Sequence, residues 1–275
     1  MPELPEVETI VRGLREILCQ KTIEEVIVYE DMVIGYPEDV DEFREKLTGR
    51  EITGMGRRGK YIVLRLFGNK LLIVHLRMTG KLLVRENEES LNEHTRVKLK
   101  FKEGFSLYFD NVRKFGRMYL VDSDKVDNAG GFEELGPEPL GEDFSASRLK
   151  EIIVGRTAAI KAVLLDQKNI AGLGNIYTDE ALFRAGIDPG RAAGDLEGQE
   201  VEELYNSIIS VLRSGIKYQG TSFSDYVNAL GESGSFQDEL MVYSREGENC
   251  PHCSCQIEKK KTAGRSTHYC PKCQE

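Results

Sequence analysis

The sequence predicts an α+β protein of several domains. Three observations carry that prediction. One amphipathic helix is followed by a series of short strand-like runs. The apolar period then changes from about 2 to about 3.6 residues across a stretch rich in Gly and Pro. The tail carries paired cysteines at metal-ligand spacing. A chain of 275 residues, 40% hydrophobic and 30% charged, excludes a disordered polymer, a collagen-like repeat and a disulfide mini-protein.

The helix comes first: Val7, Ile10, Val11, Leu14, Ile17 and Leu18 follow the spacing of one buried face, and Pro5 suits a first turn. Strands are expected over 24–29, 61–66, 71–78, 97–101, 105–109 and 118–121, which makes a sandwich or a barrel. Gly130-Gly131 and Gly136-Pro137-Glu138-Pro139 mark a linker. The boundaries are drawn at 1–130 for the strand domain, 131–142 for the linker, 143–235 for a helical domain and 240–275 for a terminal unit. In the helical part, helices are expected over 145–154 with a Ser cap, 157–166, 175–185, and a longer stretch through Val201, Leu204, Ile208, Val211 and Leu212. No run is long and apolar enough for a membrane helix, and the start is acidic where a targeting signal would be basic, so a cytoplasmic protein is expected.

Cys250-x2-Cys253 and Cys270-x2-Cys273, with 16 residues between the pairs, fit one zinc ion held by four thiolates. A redox pair would need a βαβ context, and a disulfide frame would need an oxidising compartment. Cys255 is then a spare, with a small chance of replacing Cys253, and Cys19 is an ordinary helix-end thiol. A closed four-Cys site is structural. Between the knuckles, Lys259, Lys260, Lys261 and Arg265 sit on an expected hairpin tip suited to grip phosphate, or simply to face water. Gly172 to Glu180 reads as a glycine turn running into a helix, where Asn175 is an N-cap or an anion contact.

The net charge of -9 argues against a polyanion partner, but charge is unevenly spread. From Ile52 to Arg85 there is no acid, and Arg57, Arg58, Lys60, Arg65, Lys70, Arg77, Lys81 and Arg85 give that stretch a charge of +8. Such a run suits nucleic acid or an ordinary solvated surface.

Pro2-Glu-Leu-Pro-Glu-Val-Glu-Thr9, Gly56-Arg-Arg-Gly-Lys60, His75-Leu-Arg-Met-Thr-Gly80, Asp110-Asn-Val-Arg-Lys-Phe-Gly116, Leu135-Gly-Pro-Glu-Pro139, Gly172-Leu-Gly-Asn-Ile-Tyr177 and Gly264-Arg-Ser-Thr-His268 occur in this order. Together with the cysteine pairs they resemble the formamidopyrimidine-DNA glycosylases across nearly the whole chain. The resemblance implies an N-terminal helix with a β-sandwich, a helix-two-turn-helix domain and a zinc finger. It implies that Pro2, exposed as an N-terminal amine once Met1 is removed, is the nucleophile, with Glu3 as proton shuttle and Lys60 as a catalytic and phosphate-gripping residue. His94, Arg113, Asn175 and Arg265 would bind DNA. Met78, Arg113 and Phe115 would fill the gap left by a flipped nucleotide, and Glu6, Thr221, Ser222, Ser224 and Tyr226 would read the lesion.

The activity implied is that of a bifunctional glycosylase and abasic-site lyase of base excision repair. It would act as a monomer on oxidised purines in damaged double-stranded DNA, without a membrane partner and at the nucleoid. Leu4 favours this branch over the endonuclease VIII-like branch, which takes oxidised pyrimidines. A non-catalytic damage-binding protein is the other reading, suggested by departures from the family pattern: Gln219 at a usual Gly, Ser224 at a usual Arg or Lys, Arg96 at a usual His, and Ser244 and Ser266 at usual glycines. If the turn at Ser266 needs a positive φ, the Arg265 grip is strained.

Overall fold

The computed structural model describes residues 1–86, 91–223 and 226–275. The chain packs as two units, one made of Met1–Glu133 with Tyr218–Ser235 and the other of Glu134–Lys217 with Phe236–Glu275.

In the first unit, helix α1 (Leu4–Leu18) is followed by β1 (Ile23–Val28), β2 (Ile34–Tyr36), α2 (Val40–Leu47), β3 (Ile52–Arg58), β4 (Tyr61–Leu66), β5 (Lys70–His75), β6 (Gly80–Glu86), β7 (Thr95–Phe101), β8 (Phe105–Asn111) and β9 (Arg117–Asp122). The strands form a four-stranded sheet in the order β1-β7-β8-β6 and a five-stranded sheet in the order β2-β9-β5-β4-β3. Leu82, Val97, Leu99, Leu107 and Phe109 from the first sheet join Met55, Ile62, Leu64, Leu72, Val74 and Leu120 from the second in one apolar cluster, so the arrangement is a sandwich. The α1 stripe of Val7, Ile10, Val11, Leu14 and Leu18 enters the same cluster.

Three strands and a helix of the first unit were not expected, the shortest being β2 with three residues. β3 hides its alternation behind Gly54 and Gly56, and β6 buries Leu82 and Leu83 side by side without strict alternation. α2 buries only Phe43 and Leu47 among charged neighbours, although Asp39 caps it by accepting the Asp41 and Glu42 N–H groups. The strand expected over 71–78 stops at His75, and 76–79 form a turn. That turn is tied to the β8–β9 turn through Thr79, whose hydroxyl accepts the Arg113 N–H at 3.1 Å and donates to Asn111 Oδ1 at 3.1 Å.

The second unit holds α3 (Ala146–Ile153), α4 (Ile160–Leu165), α5 (Asn175–Ala185), α6 (Gly198–Lys217) and the hairpin β10 (Glu258–Thr262) with β11 (Arg265–Tyr269). Ser145 caps α3 as expected, accepting the Arg148 N–H. The cap position of α5 is Gly174 and not Asn175, which leaves the Asn175 side chain for other work. Buried Glu180 of α5 accepts the N–H groups of Met241, Val242 and Tyr243, fixing the segment that leads into the cysteine region. No helix among the described residues is long and apolar enough to cross a membrane.

The contacts group the chain differently from the boundaries drawn on sequence. Tyr218–Ser235 packs with the first unit because Tyr226 and Ala229 enter the sandwich core and the Val84 N–H bonds to the Ala229 carbonyl at 3.1 Å. The cysteine region belongs to the helical unit.

Gly116 shows how closely the β8–β9 turn is packed: a methyl there would lie 2.3 Å from Asn111 Nδ2 and 2.5 Å from Phe109 Cζ. Gly116→Ala is expected to cost about 1–3 kcal/mol, because a packed interior must shift to admit it. Gly198→Ala, where the added methyl meets nothing within 4 Å at the start of α6, serves as the control and should be neutral to slightly stabilising. Denaturant titration of the two variants checks this; equal stability of both would contradict the packing argument.

Candidate functional site

In the first unit the start of α1 holds a cluster of buried polar groups. Pro2, Glu3 and Glu6 are buried, while Met1 is exposed. Glu3 is the N-cap and forms a reciprocal capping box with Glu6: the Glu3 side chain accepts the Glu6 N–H, and Glu6 Oε2 accepts the Glu3 N–H at 2.8 Å. This satisfies donors that a helix start leaves without carbonyl partners. Two residues beyond Glu6, Glu8 accepts from Arg12 at 2.8 Å and from Arg57 at 3.1 Å. Burial alone would raise the Glu8 carboxyl, but the two guanidinium groups outweigh it and hold the group below its ordinary value.

Arg57 also donates to the Gly59 carbonyl at 3.0 Å, bracing the β3–β4 turn against α1. Gly59, at φ 54, opens that two-residue turn, and buried Lys60 completes it. Pairing of Tyr61 with His75 between β4 and β5 then sets His75 against the turn, its ring edge-on to Tyr61 at 4.5 Å between centroids. His75 Nδ1 accepts the Arg77 N–H at 3.0 Å, which requires the unprotonated nitrogen. Burial, aided by the charges of Arg77 and Lys60, pushes His75 down to about 3. Sequence reasoning quoted His75 in a motif and gave it no role; a histidine ending a buried strand within a basic run was the available signal.

Met78, Arg113 and Phe115 come together on the two linked turns. Phe115 is 49% exposed and Met78 44% exposed, so neither is core. The Arg113 guanidinium lies over the Phe115 ring at 4.9 Å and donates to Met78 Sδ at 3.2 Å. His94 is part-exposed, with Glu93 at 3.4 Å, and its carbonyl accepts the Asn111 N–H. Arg96 braces the same region by donating to the Asn111 carbonyl at 3.0 Å and to the Glu93 carbonyl at 3.1 Å. Part of the basic run is paired with acids: Lys70 with Asp122 at 2.5 Å and Arg85 with Asp110 at 3.3 Å.

The segment 218–235 reaches the α1 start through backbone bonds. Glu6 Oε1 accepts the Thr221 N–H at 2.8 Å, Tyr226 donates its hydroxyl to the Gln219 carbonyl at 2.9 Å, and Ser222 Oγ donates to the Tyr226 carbonyl at 2.9 Å. Thr221 and Tyr226 are buried; Ser224 lies outside the described residues. Gln219 sits at φ 59, in the left-handed region, at a cost of roughly 1–2 kcal/mol against glycine. Ser244 does the same at φ 63.

In the second unit, Lys161 of α4 is 0% exposed and donates to Asp179 Oδ1 at 2.6 Å, to the Ser266 carbonyl at 2.9 Å and to Thr267 Oγ1 at 2.9 Å. Asp179 Oδ2 accepts the His268 N–H at 2.9 Å. This buried pair pins β11 to α4 and α5; removing either partner of such a pair costs about 3–5 kcal/mol. A lysine inside the otherwise apolar run Ile160–Leu165 was a legible sign of it. Asn175 Nδ2 donates to the same Ser266 carbonyl at 2.9 Å, which brings Asn175 beside the head of β11, where Arg265 is exposed. Ser266 is an ordinary strand residue paired with Lys261, and its φ is not positive, so the feared strain on Arg265 is absent. The left-handed positions of the hairpin are Ala263 and Gly264. Of the basic residues between the knuckles, Lys259 pairs with Glu246 at 2.6 Å and Lys260 with Asp188 at 2.7 Å, while Lys261 and Arg265 face outward.

Cys250, Cys253, Cys270 and Cys273 form a group whose sulfur atoms lie within 4.8 Å of one another; Cys255 is not part of it. The 3.8 Å Cys250–Cys273 and 3.5 Å Cys253–Cys270 separations are too long for a disulfide of about 2.05 Å. They match the spacing of about 3.8 Å that tetrahedral geometry gives thiolates about 2.3 Å from a metal. The donor set therefore suits one metal ion, and four protein ligands leave no open position.

Residues 1–118 match the formamidopyrimidine-DNA glycosylase N-terminal domain, and residues 135–227 match the formamidopyrimidine-DNA glycosylase H2TH domain. The chain belongs to the formamidopyrimidine-DNA glycosylase family. Formamidopyrimidine-DNA glycosylases of Desulforamulus reducens and Geobacillus kaustophilus are 48% and 44% identical to it, each over 100% of this chain and 99% and 100% of the relative. Among solved structures, the Lactococcus lactis family member in complex with abasic-site DNA superimposes with a TM-score of 0.93 at 38% identity, over 99% of both chains. The same bacterial protein bound to DNA containing an oxidised pyrimidine gives a TM-score of 0.92 at 38% identity, over 100% of both chains. The fold of this family member is thus the family fold: N-terminal helix, sandwich, H2TH domain and four-cysteine region.

His75 gives a pH test. Its folded value, about 3, lies below the ordinary 6.5, so the stability it contributes is present above pH 6.5 and is lost as the pH falls toward 3. Denaturant unfolding at about pH 7.5 and about pH 5, one on each side of the ordinary histidine value, should show a larger loss on acidification for the parent chain than for His75→Gln. Equal losses would count against a neutral buried imidazole.

Proposed function

We propose that this family member is a bifunctional DNA glycosylase and abasic-site lyase that removes oxidised purines, 8-oxoguanine and formamidopyrimidines, with Pro2 as nucleophile. The observation that carries the reading is the buried Pro2 immediately ahead of the Glu3–Glu6 capping box. Removal of Met1 would leave a secondary amine there, and an α-amine titrates at about 8, so free base is available near neutrality. In the proposed reaction the Pro2 nitrogen bonds to C1′ of the lesion nucleotide and the damaged base departs. Glu3 supplies the proton that opens the sugar. Loss of a C2′ proton from the resulting Schiff base expels the 3′ phosphate, and a second elimination expels the 5′ phosphate. Buried Lys60, on the braced β3–β4 turn, is proposed to hold a phosphate beside this chemistry.

A base inside a duplex must be flipped out to be reached. The exposed cluster of Met78, Arg113 and Phe115 supports a role in filling the gap, since large apolar side chains on a tightly packed turn suit a wedge between bases. His94, Asn175 and Arg265 are proposed as further DNA contacts. Thr221, Ser222, Ser224 and Tyr226 would make up the segment that reads the lesion, and Glu6 would act with them. The Lactococcus lactis relative bound to Fapy-dG DNA supports the purine reading, as does Leu4. The relative bound to an oxidised pyrimidine favours a second, broader substrate range. The four cysteines are proposed to hold one structural zinc ion. We place the enzyme, as a monomer, on DNA in the cytoplasm.

Borohydride should link the parent chain covalently to a lesion duplex, and intact mass should show a chain starting at Pro2. Pro2→Gly should reduce trapping by about tenfold or more, as expected when the activated nucleophile is replaced; unchanged trapping would remove Pro2 from the mechanism. Emission spectrometry should find one zinc per chain. Cys270→Ser should lose the metal and DNA affinity together, because structural zinc and local folding are coupled; full affinity without metal would contradict a structural role for the ion.

A further inference from the structure

Glu6 lies 2% exposed between two segments that are far apart in sequence. One carboxylate oxygen accepts the Glu3 N–H at 2.8 Å, at the α1 start, and the other accepts the Thr221 N–H at 2.8 Å. Tyr226 presents its hydroxyl to the Gln219 carbonyl at 2.9 Å and to the Glu6 carbonyl at 3.5 Å. Gly220 closes over the carboxylate: a methyl there would lie 2.8 Å from Glu6 Cγ and 2.9 Å from Glu6 Oε1, and its φ of 84 favours glycine independently. Charge-assisted bonds in a buried setting are the strong kind. The same side chain therefore fixes the backbone of Glu3 and the backbone of Thr221 relative to each other.

We propose that Glu6 is a positioning residue, a latch that seats the 218–223 segment on the α1 start, so that the segment proposed to read the base and the residues proposed to do the chemistry are held in one register. This rests on the function proposed above only for its activity readout. A latch of this kind matters for a base that must be read before it is cut away, and much less for an abasic site, where there is no base to read.

Two variants test it in the full-length chain. Glu6→Gln keeps the shape but leaves one of the two N–H groups facing an amide nitrogen that cannot accept. Gly220→Ala keeps the Glu6 carboxylate and sets a methyl against it, so that the segment and the carboxylate must separate. Amide hydrogen exchange followed by mass spectrometry should show the Thr221 N–H exchanging about tenfold faster or more in both variants, with the sandwich strands unchanged. Excision of 8-oxoguanine should fall about tenfold or more in both, while Gly220→Ala should cleave a preformed abasic site within about threefold of the parent. Unchanged Thr221 exchange in Glu6→Gln overturns the latch, whatever the activities. So does a loss of abasic-site cleavage in Gly220→Ala as deep as its loss of excision. If the parent chain itself fails to excise 8-oxoguanine, the proposed substrate falls, and the exchange measurement still decides the latch.

Discussion

The start of an α-helix carries N–H groups that no helical carbonyl can reach, and in this chain their satisfaction organises the first unit. A Ser or Asp cap would have served α1 locally. Glu3 and Glu6 do more, because a glutamate at the third helical position has a second oxygen to spare, and that oxygen bonds the Thr221 N–H. A local requirement of one helix thereby becomes a long-range tie between residues 215 apart in sequence. The same segment also sends Tyr226 and Ala229 into the sandwich core.

The second unit solves a parallel problem with an ion pair. Buried lysines are costly unless paired and hydrogen-bonded, and Lys161 has three oxygen acceptors around its ammonium group. Two of them come from β11, so the charge that had to be neutralised also sets the hairpin that presents Arg265. The metal-ligand group and the Glu180 contacts fix the same region from its other end. A net acidic chain can in this way present a few cations in fixed places while pairing away others, such as Lys259 and Lys260.

What the sequence made legible was whatever depends on spacing. The α1 stripe, the Ser145 cap, the strands with clear alternation and the two cysteine pairs all repeat at short, fixed intervals. β3 was not legible because Gly54 and Gly56 interrupt its pattern, although Gly56 lies close to the Arg65 side chain. The allegiance of 218–235 was not legible because it rests on Glu6 and on burial of Tyr226, and neither leaves a periodic trace. The departures at Gln219, Ser244 and Ser266 looked alike in sequence. Backbone geometry separates them, since the first two occupy left-handed positions and the third is plain strand.

The Arg113 guanidinium resting on the Phe115 ring has a consequence for the behaviour of the chain in solution. A bare phenylalanine and methionine at a protruding tip would invite self-association, since exposed apolar patches are where soluble chains adhere to one another. Parking a cation on the aromatic face, with the thioether alongside, gives that tip a hydrated, mutually repelling coat. The two exposed apolar side chains of these linked turns are thus kept colloidally quiet by the arginine they share.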